Sequence, residues 1–182
     1  RIDANKRVQQ LQMPLPPGFF DALDTRLVLA GQTGPMTGDL LAPLADVPGL
    51  AAHVEHRPAC TDDDLAALIR NARALLMPSL AEGFGLPVVE ALQVGTPVIA
   101  SDLPVFREIG GDYMAYFDLH NPQSLTDLVL GMERSGEFPA PMSLDQWRWL
   151  SWREASAQLV QRIERNLNHP LPASEGQHAH CS

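Results

Sequence analysis

Two glutamates flank a short glycine-containing stretch near the middle of the chain. Glu82 directly precedes Gly83-Phe84-Gly85, and Glu90 follows five residues later. Glycine lets backbone N–H groups approach an anion closely, and a helix N-terminus favours negative charge. Carboxylates accept hydrogen bonds from hydroxyl groups. An acid on each side of an anion-binding loop therefore indicates a ligand that carries hydroxyl groups on either side of a phosphate.

A strand and a helix must position these residues. Residues 74–77 form an apolar run closed by Pro78, which predicts a short buried strand. Pro87 is favoured in the first turn of a helix, and Gly95 is typical of a helix end. Residues 96–100 predict a second buried strand. The order predicts a parallel, right-handed strand–loop–helix–strand unit.

Glu90 has two interpretations that the helix alone does not separate. It lies among Val89, Ala91 and Leu92, where burying an unpartnered carboxylate would be costly. The side chain either faces solvent with no further role or binds a ligand. The neighbouring glycines favour the second interpretation.

Three stretches follow one another in the chain: EGFGLPVVEA, from Glu82 to Ala91, then GTPVIASD and PVFREIG. The first resembles the E-x7-E signature of the retaining glycosyltransferases of two-lobed GT-B architecture in family 4 (group 1), and the other two follow it in that family's order. The resemblance covers residues 1–129. It implies an α/β fold, a Rossmann-like parallel sheet with helices on both faces, as in the C-terminal lobe of a GT-B enzyme. That lobe binds the nucleotide-sugar donor.

The resemblance also implies roles for individual residues. Glu90 would accept hydrogen bonds from the ribose hydroxyls, and Glu82 would be the catalytic-site carboxylate that holds hydroxyls of the donor sugar. Arg57 and Pro58 would lie in the loop against the nucleotide base. Backbone and cationic groups would hold the donor diphosphate: Arg1, Lys6, Gly83, Phe84, Gly85 and Leu86. Arg1 and Lys6 have an alternative interpretation as ordinary surface cations.

The implied reaction is retaining transfer of a hexose, with mannose as one candidate, to a sugar or lipid-linked acceptor in surface polysaccharide biosynthesis. This is a hexosyltransferase activity of class EC 2.4. The acceptor would bind largely to an N-terminal lobe that we expect to be missing here, because the chain opens at Arg1 with its first strand truncated. The fragment alone would then be inactive. A non-catalytic nucleotide-binding or regulatory module, and an unrelated doubly wound binding module, remain alternatives.

Three consecutive aspartates, Asp62 to Asp64, follow Thr61. A metal site is one interpretation of this cluster. Thr61 with Asp64 three residues later fits a capping box better, because acids are favourable in the first turn of a helix. We therefore expect neither a metal nor a cofactor, with the nucleotide-sugar serving as substrate.

Composition limits the class of protein. The 182 residues carry a formal net charge of −9, which argues against general nucleic-acid or membrane-surface binding. Only two cysteines occur, Cys60 and Cys181, so a reducing compartment is favoured. No segment has the length and apolarity of a membrane span. We expect a cytoplasmic protein, with peripheral attachment to the inner membrane through the missing lobe as an alternative.

The domain organisation follows from these patterns. Residues 1–135 predict the nucleotide-sugar-binding lobe, 142–168 a C-terminal helical segment of one or two helices, and 169–182 a disordered tail. Trp149 and Trp152 are three positions apart and would share a helix face, with core packing favoured over a stacking platform for sugar. His56 is interpreted as a loop or packing residue.

Overall fold

The computed structural model describes residues 26–31, 53–121 and 123–168. Arg1, Lys6 and the tail 169–182 lie outside the described residues. Five strands and five α-helices occur in the described part, in the order β1 Leu27–Ala30, β2 Val54–Arg57, α1 Asp62–Asn71, β3 Leu75–Met77, α2 Leu86–Gln93, β4 Val98–Ser101, α3 Pro104–Gly110, β5 Ala115–Phe117, α4 Gln123–Ser135 and α5 Trp152–Asn168.

All strand pairs in the described residues are parallel. β1 pairs with β2, and β3, β4 and β5 form a three-stranded sheet in that order. Leu76 is opposite Ile99, which is opposite Ala115. Each crossover in the three-stranded sheet carries a helix, α2 between β3 and β4 and α3 between β4 and β5. The carboxyl ends of β3, β4 and β5 therefore meet at one edge, as the parallel strand–loop–helix–strand prediction requires.

Strand β4 is the centre of the core because helices cover both of its faces. All four of its residues are buried, and alternate side chains enter different apolar clusters. Val98 and Ala100 join the cluster that contains α2 and α3 residues such as Phe106, whereas Ile99 packs with Phe117 and the α4 residues. This alternation is the period of two expected of a strand. The predicted parallel sheet with helices on both faces is confirmed.

Helix α1 begins with the predicted capping box. The Asp64 backbone N–H donates to Thr61 Oγ1 at 3.2 Å, and the Thr61 backbone N–H donates to Asp64 Oδ2 at 3.0 Å. Hydrogen bonds from Thr61 lower the pKa of the Asp64 carboxyl group. The cap interpretation of these aspartates is confirmed. The described ranges contain no cluster of three or more His, Cys, Asp or Glu side chains arranged to hold a metal.

The tryptophans differ from the sequence prediction. Trp147 is the buried one, and its Nε1–H donates to the Ile109 carbonyl oxygen at 3.1 Å. Trp149 lies before α5 rather than on it, so it shares no helix face with Trp152. Their exposed fractions are 40% and 90%, which contradicts the core-packing prediction. The helix starts later than expected because Ser151 and Glu154 cap it: the Ser151 N–H donates to Glu154 Oε2 at 2.7 Å.

The chain divides into two compact units, Arg1–Trp147 and Arg148–Ser182. The first unit contains both sheets and α1 to α4, and the second contains α5. Both ends of the domain scheme predicted from sequence lie outside the described residues, so that scheme stays a prediction. Within the described part of the chain, no helix combines the length and apolarity needed to cross a membrane.

Candidate functional site

Glu82 lies in the loop that connects β3 to α2, at the carboxyl edge of the three-stranded sheet. Its side chain is half-buried, and Ser79 Oγ donates a hydrogen bond to Glu82 Oε1 at 2.9 Å. Ser79 itself is completely buried. The loop that carries the carboxylate is therefore tied to the core only three residues before it.

Gly85 forms the N-cap of α2, and two independent requirements select glycine there. Its φ of 83° lies in the left-handed region, which side chains with a Cβ disfavour. A Cβ at this position would also stand 2.8 Å from Cε1 of the Phe106 ring. Gly83 meets neither requirement, since its φ is not positive and a Cβ there would meet nothing within 4 Å. The described residues thus explain Gly85 but give no reason for glycine at position 83.

The first turn of α2 presents backbone N–H groups beyond the loop. Leu86 is the first helical residue, and Pro87 has no N–H to satisfy. Val88 N–H donates to the Gly85 carbonyl oxygen at 2.9 Å. Among the described residues, no acceptor takes the N–H of Gly85 or Leu86. Such a helix N-terminus carries partial positive charge and suits an anion.

Glu90 is the fifth residue of the eight-residue α2 and is exposed. Val88, Val89, Ala91 and Leu92 around it are buried, so the helix packs its apolar side and turns Glu90 outward. Glu90 lies four positions after Leu86, whose exposed fraction is 60%, so the two share one helix face. That face extends to the first turn of α2, where Leu86 lies.

Phe84 completes the loop and is 47% exposed. The structure therefore brings five neighbouring predicted residues and Glu90 onto one strand–loop–helix segment: Glu82, Gly83, Phe84, Gly85, Leu86 and Glu90. One carboxylate thus precedes the N-terminus of α2 in the loop, and the other is exposed on the helix itself.

Arg57 and Pro58 lie at the carboxyl end of β2, in the other sheet. Both are exposed, and Arg57 Nε makes an ion pair with Glu55 Oε1 at 2.7 Å. The hydrogen bond in this pair raises the pKa of Arg57 and lowers that of Glu55. His56 is a strand residue with Nε2 3.3 Å from the Gly31 carbonyl oxygen, which agrees with its interpretation as a packing residue.

Sequence reasoning missed the groups that support the loop. Ser101, the last residue of β4, is completely buried, and its Oγ donates to the Ser79 carbonyl oxygen at 2.6 Å. A polar residue that ends a strand is ordinary in sequence, so only the partner 22 positions away makes it informative. In the sequence, the signal for this contact is Ser79, which follows Pro78 at the end of a buried run.

An ion pair follows β4 directly. Arg107 Nε and Nη2 donate to the two carboxylate oxygens of Asp102 at 2.7 and 2.8 Å. The Arg107 guanidinium lies 3.7 Å from the centre of the Tyr116 ring. The Arg107 hydrogen bond lowers the pKa of Asp102, and burial raises the pKa of Tyr116 to about 12. These contacts fix the loop after β4 against α3 and β5.

Known proteins resemble this chain in sequence and in structure. A serotype-specific mannosyltransferase of Escherichia coli, WbdA, is 31% identical over 143 residues, which are 77% of this chain and 17% of that protein. The O-antigen biosynthesis glycosyltransferase WclY of Escherichia coli is 39% identical over 67 residues, which are 37% of this chain and 19% of that protein. The chain thus spans less than a fifth of the length of these two relatives.

The structure resembles sucrose-phosphate synthase from Thermosynechococcus elongatus with a TM-score of 0.67 and 20% identity, over 92% of this chain and 44% of that one. This likeness concerns the fold alone and confirms the expected α/β, Rossmann-like lobe of GT-B type. Residues 8–143 match the family of glycosyl transferases group 1. The match spans most of the chain, including the segment from Glu82 to Glu90, and the chain therefore belongs to the glycosyl transferases group 1.

Proposed function

We propose that this chain is the donor-binding C-terminal lobe of a retaining glycosyltransferase of family 4. The enzyme would transfer a hexose, with mannose as the first candidate, from a nucleoside diphosphate sugar to a saccharide or lipid-linked acceptor in surface polysaccharide biosynthesis. The observation that carries the proposal is the β3–α2 segment, where the N-terminus of a helix lies between Glu82 and Glu90 on the chain. The relatives named mannosyltransferase and O-antigen biosynthesis glycosyltransferase support the choice of sugar and product.

The donor diphosphate would bind at the N-terminus of α2. The N–H groups of Gly85 and Leu86 and the helix dipole favour a phosphate there. A ligand that approaches the backbone closely at Gly83 would account for a glycine that the described residues leave unexplained. Arg1 and Lys6 would add positive charge, as the family resemblance implies.

The two carboxylates would then bind different parts of the donor, the ribose and the transferred sugar. Glu90, exposed on the face of α2 shared with Leu86, would accept hydrogen bonds from the ribose hydroxyls. Glu82, held by Ser79 in the preceding loop, would accept hydrogen bonds from hydroxyls of the sugar that moves. Arg57 and Pro58 at the end of β2 would approach the base, mainly through backbone groups.

The reaction would proceed on one face of the sugar. The bond between the anomeric carbon and the diphosphate oxygen breaks, the acceptor oxygen forms the new glycosidic bond on the same face, and the acceptor proton passes to the departing phosphate. Fixed N–H donors at α2 would stabilise the charge that develops on the leaving group. No metal is needed in this scheme, because backbone and cationic groups supply that stabilisation.

The acceptor would bind to another part of the complete protein, since the chain covers less than a fifth of the length of the named relatives. This lobe alone would bind nucleotide weakly and transfer no sugar. The nucleotide-sugar substrate places the reaction in the cytoplasm, with membrane contact supplied by the acceptor-binding part.

The experiment uses the complete natural polypeptide. Thermal shift with GDP-mannose and a panel of UDP-sugars selects the donor, and release of nucleoside diphosphate measures its turnover with and without excess chelator. We expect stabilisation by one donor, turnover that survives the chelator, and a product that keeps the donor's anomeric configuration by NMR. Glu137→Gln, an exposed glutamate outside the segment, is the control and should behave as wild type. Stabilisation without any turnover would instead support a non-catalytic nucleotide-binding module.

A further inference from the structure

Two buried serine hydroxyls connect Glu82 to the core. Ser79 and Ser101 have no exposed surface, although each carries a polar side chain. Ser101 Oγ donates to the Ser79 carbonyl oxygen at 2.6 Å, and Ser79 Oγ donates to Glu82 Oε1 at 2.9 Å. Because Ser101 is the last residue of the fully buried strand β4, the two bonds link a loop carboxylate to the buried centre of the sheet.

The direction of the bonds matters for what they do. Ser79 Oγ is the donor and Glu82 Oε1 the acceptor, so the hydroxyl hydrogen of Ser79 is committed to Glu82. The Ser101 bond goes to the backbone of Ser79 and so fixes the position from which that hydroxyl points. A long Glu side chain in a loop otherwise samples several rotamers, and ordering it during binding lowers the affinity for whatever it must contact.

We propose that Ser79, held by Ser101, is a positioning residue that fixes the Glu82 carboxylate in one orientation for the hydroxyl groups of the transferred sugar. The inference rests on the proposed function, because it assigns Glu82 to the sugar rather than to the nucleotide. Ser79 touches Glu82 and acts through it. Precise placement of groups around the reacting sugar affects the transition state more than the bound nucleotide.

A positioning role predicts a separation between binding and turnover. In the complete polypeptide with GDP-mannose as donor, Ser79→Ala should lower kcat for nucleoside diphosphate release on the order of tenfold, the effect of one hydrogen bond to a charged group. The Kd for GDP should not change, because the nucleotide does not contact Glu82. Ser101→Ala should lower kcat less, since it loosens only the backbone of Ser79.

Thr96, just before β4, offers a matched control. It is 3% exposed, and its Oγ1 donates to the Ile69 carbonyl oxygen at 2.8 Å. It precedes β4, whereas Ser101 ends it, so Thr96→Val removes a buried hydroxyl at the opposite edge. We expect Thr96→Val to lower Tm as much as Ser79→Ala does while leaving kcat unchanged. Equal losses of kcat in the two variants would overturn the positioning role.

A double-mutant cycle separates positioning from a general effect on the fold. Ser79→Ala should add almost no further loss of kcat to Glu82→Ala, because its target is then gone. If Ser79→Ala lowers kcat by the same factor in the wild-type and Glu82→Ala backgrounds, or lowers it in neither, the proposal is refuted. If Ser79→Ala does not fold, Ser101→Ala takes its place in the cycle with the same criterion. A wild-type kcat for Glu82→Ala would contradict the proposed function itself, and the positioning role with it.

Discussion

The two ends of strand β4 use the same interaction for different purposes. Just before the amino end, the buried Thr96 hydroxyl donates to the carbonyl oxygen of Ile69, and both residues are buried. At the carboxyl end, the buried Ser101 hydroxyl donates to the carbonyl oxygen of Ser79, whose own hydroxyl reaches a half-exposed carboxylate. A hydrogen bond from a buried hydroxyl to a backbone carbonyl oxygen therefore indicates only that the local backbone is held in place. What distinguishes the two ends is whether that rigidity is passed on to a group that a ligand can reach.

The glycines at the two ends of α2 offer a second comparison. Their substitution by alanine has the largest expected effect on the free energy of unfolding. Gly85 before the helix and Gly95 after it have similar φ values, 83° and 80°. A Cβ at Gly85 would meet the Phe106 ring at 2.8 Å, whereas one at Gly95 would meet nothing within 4 Å. Gly85→Ala should cost about 2–5 kcal/mol of unfolding free energy, from backbone strain plus overpacking. Gly95→Ala should cost about 1–2 kcal/mol, from strain alone.

Urea unfolding of both variants measures the difference. We also expect Gly85→Ala to abolish donor binding, because the N-terminus of α2 must shift to relieve the contact, and Gly95→Ala to keep it. Equal destabilisation would mean that the Phe106 contact relaxes without cost and that only the left-handed conformation selects glycine at both positions.

Helix α1 gives a smaller effect, away from the candidate site. Thr61→Ala removes the hydroxyl that caps the helix and should lower Tm by roughly 2–8 °C. Since we interpret Asp62 to Asp64 as first-turn residues and not as metal ligands, turnover in excess chelator should be the same in this variant and in wild type. Restoration of activity by manganese or magnesium alone would contradict that interpretation.

The ion pair after β4 gives the smallest effect. Arg107 lowers the pKa of Asp102, so the pair stabilises the fold above the unfolded-state pKa, near 3.9, and this contribution is lost as pH falls through the lower folded-state value. Asp102→Asn should cost about 0.2–1 kcal/mol at neutral pH, because the half-exposed pair is screened by solvent. Thermal unfolding of both proteins should converge as the pH falls through the lowered pKa of Asp102. A constant difference down to lower pH would show that packing, not charge, holds the loop.

Local signals in the sequence were enough for the unit of β3, α2 and β4 but not for the support of the site. Apolar runs, Pro87 and Gly95 predicted β3, α2 and β4 because each signal acts over a few residues. Thr61 and Asp64 predicted their cap for the same reason. The Ser101–Ser79 bond joins residues 22 positions apart and depends on how two strands align, which no local pattern contains.

The tryptophans show the same limit. Spacing placed Trp149 and Trp152 on one helix face, but the cap at Ser151 starts α5 after Trp149. Trp147 packs in the apolar cluster of α2 and α3, and its indole N–H donates to a carbonyl oxygen 38 positions earlier, at Ile109. Burial of a large side chain is decided by such distant partners, whereas helix periodicity describes only its neighbours.

The central claim is the division of labour between the two carboxylates, and calorimetric titration with GDP and UDP tests it most directly. In the complete polypeptide, Glu90→Gln should raise the Kd for the nucleoside diphosphate on the order of tenfold to a hundredfold, because a charge-assisted hydrogen bond to ribose is lost. Glu82→Gln should leave that Kd unchanged and lower only the turnover of the sugar donor. The reverse pattern would show that the two roles are exchanged, and an unchanged Kd in both variants would show that the nucleotide binds elsewhere.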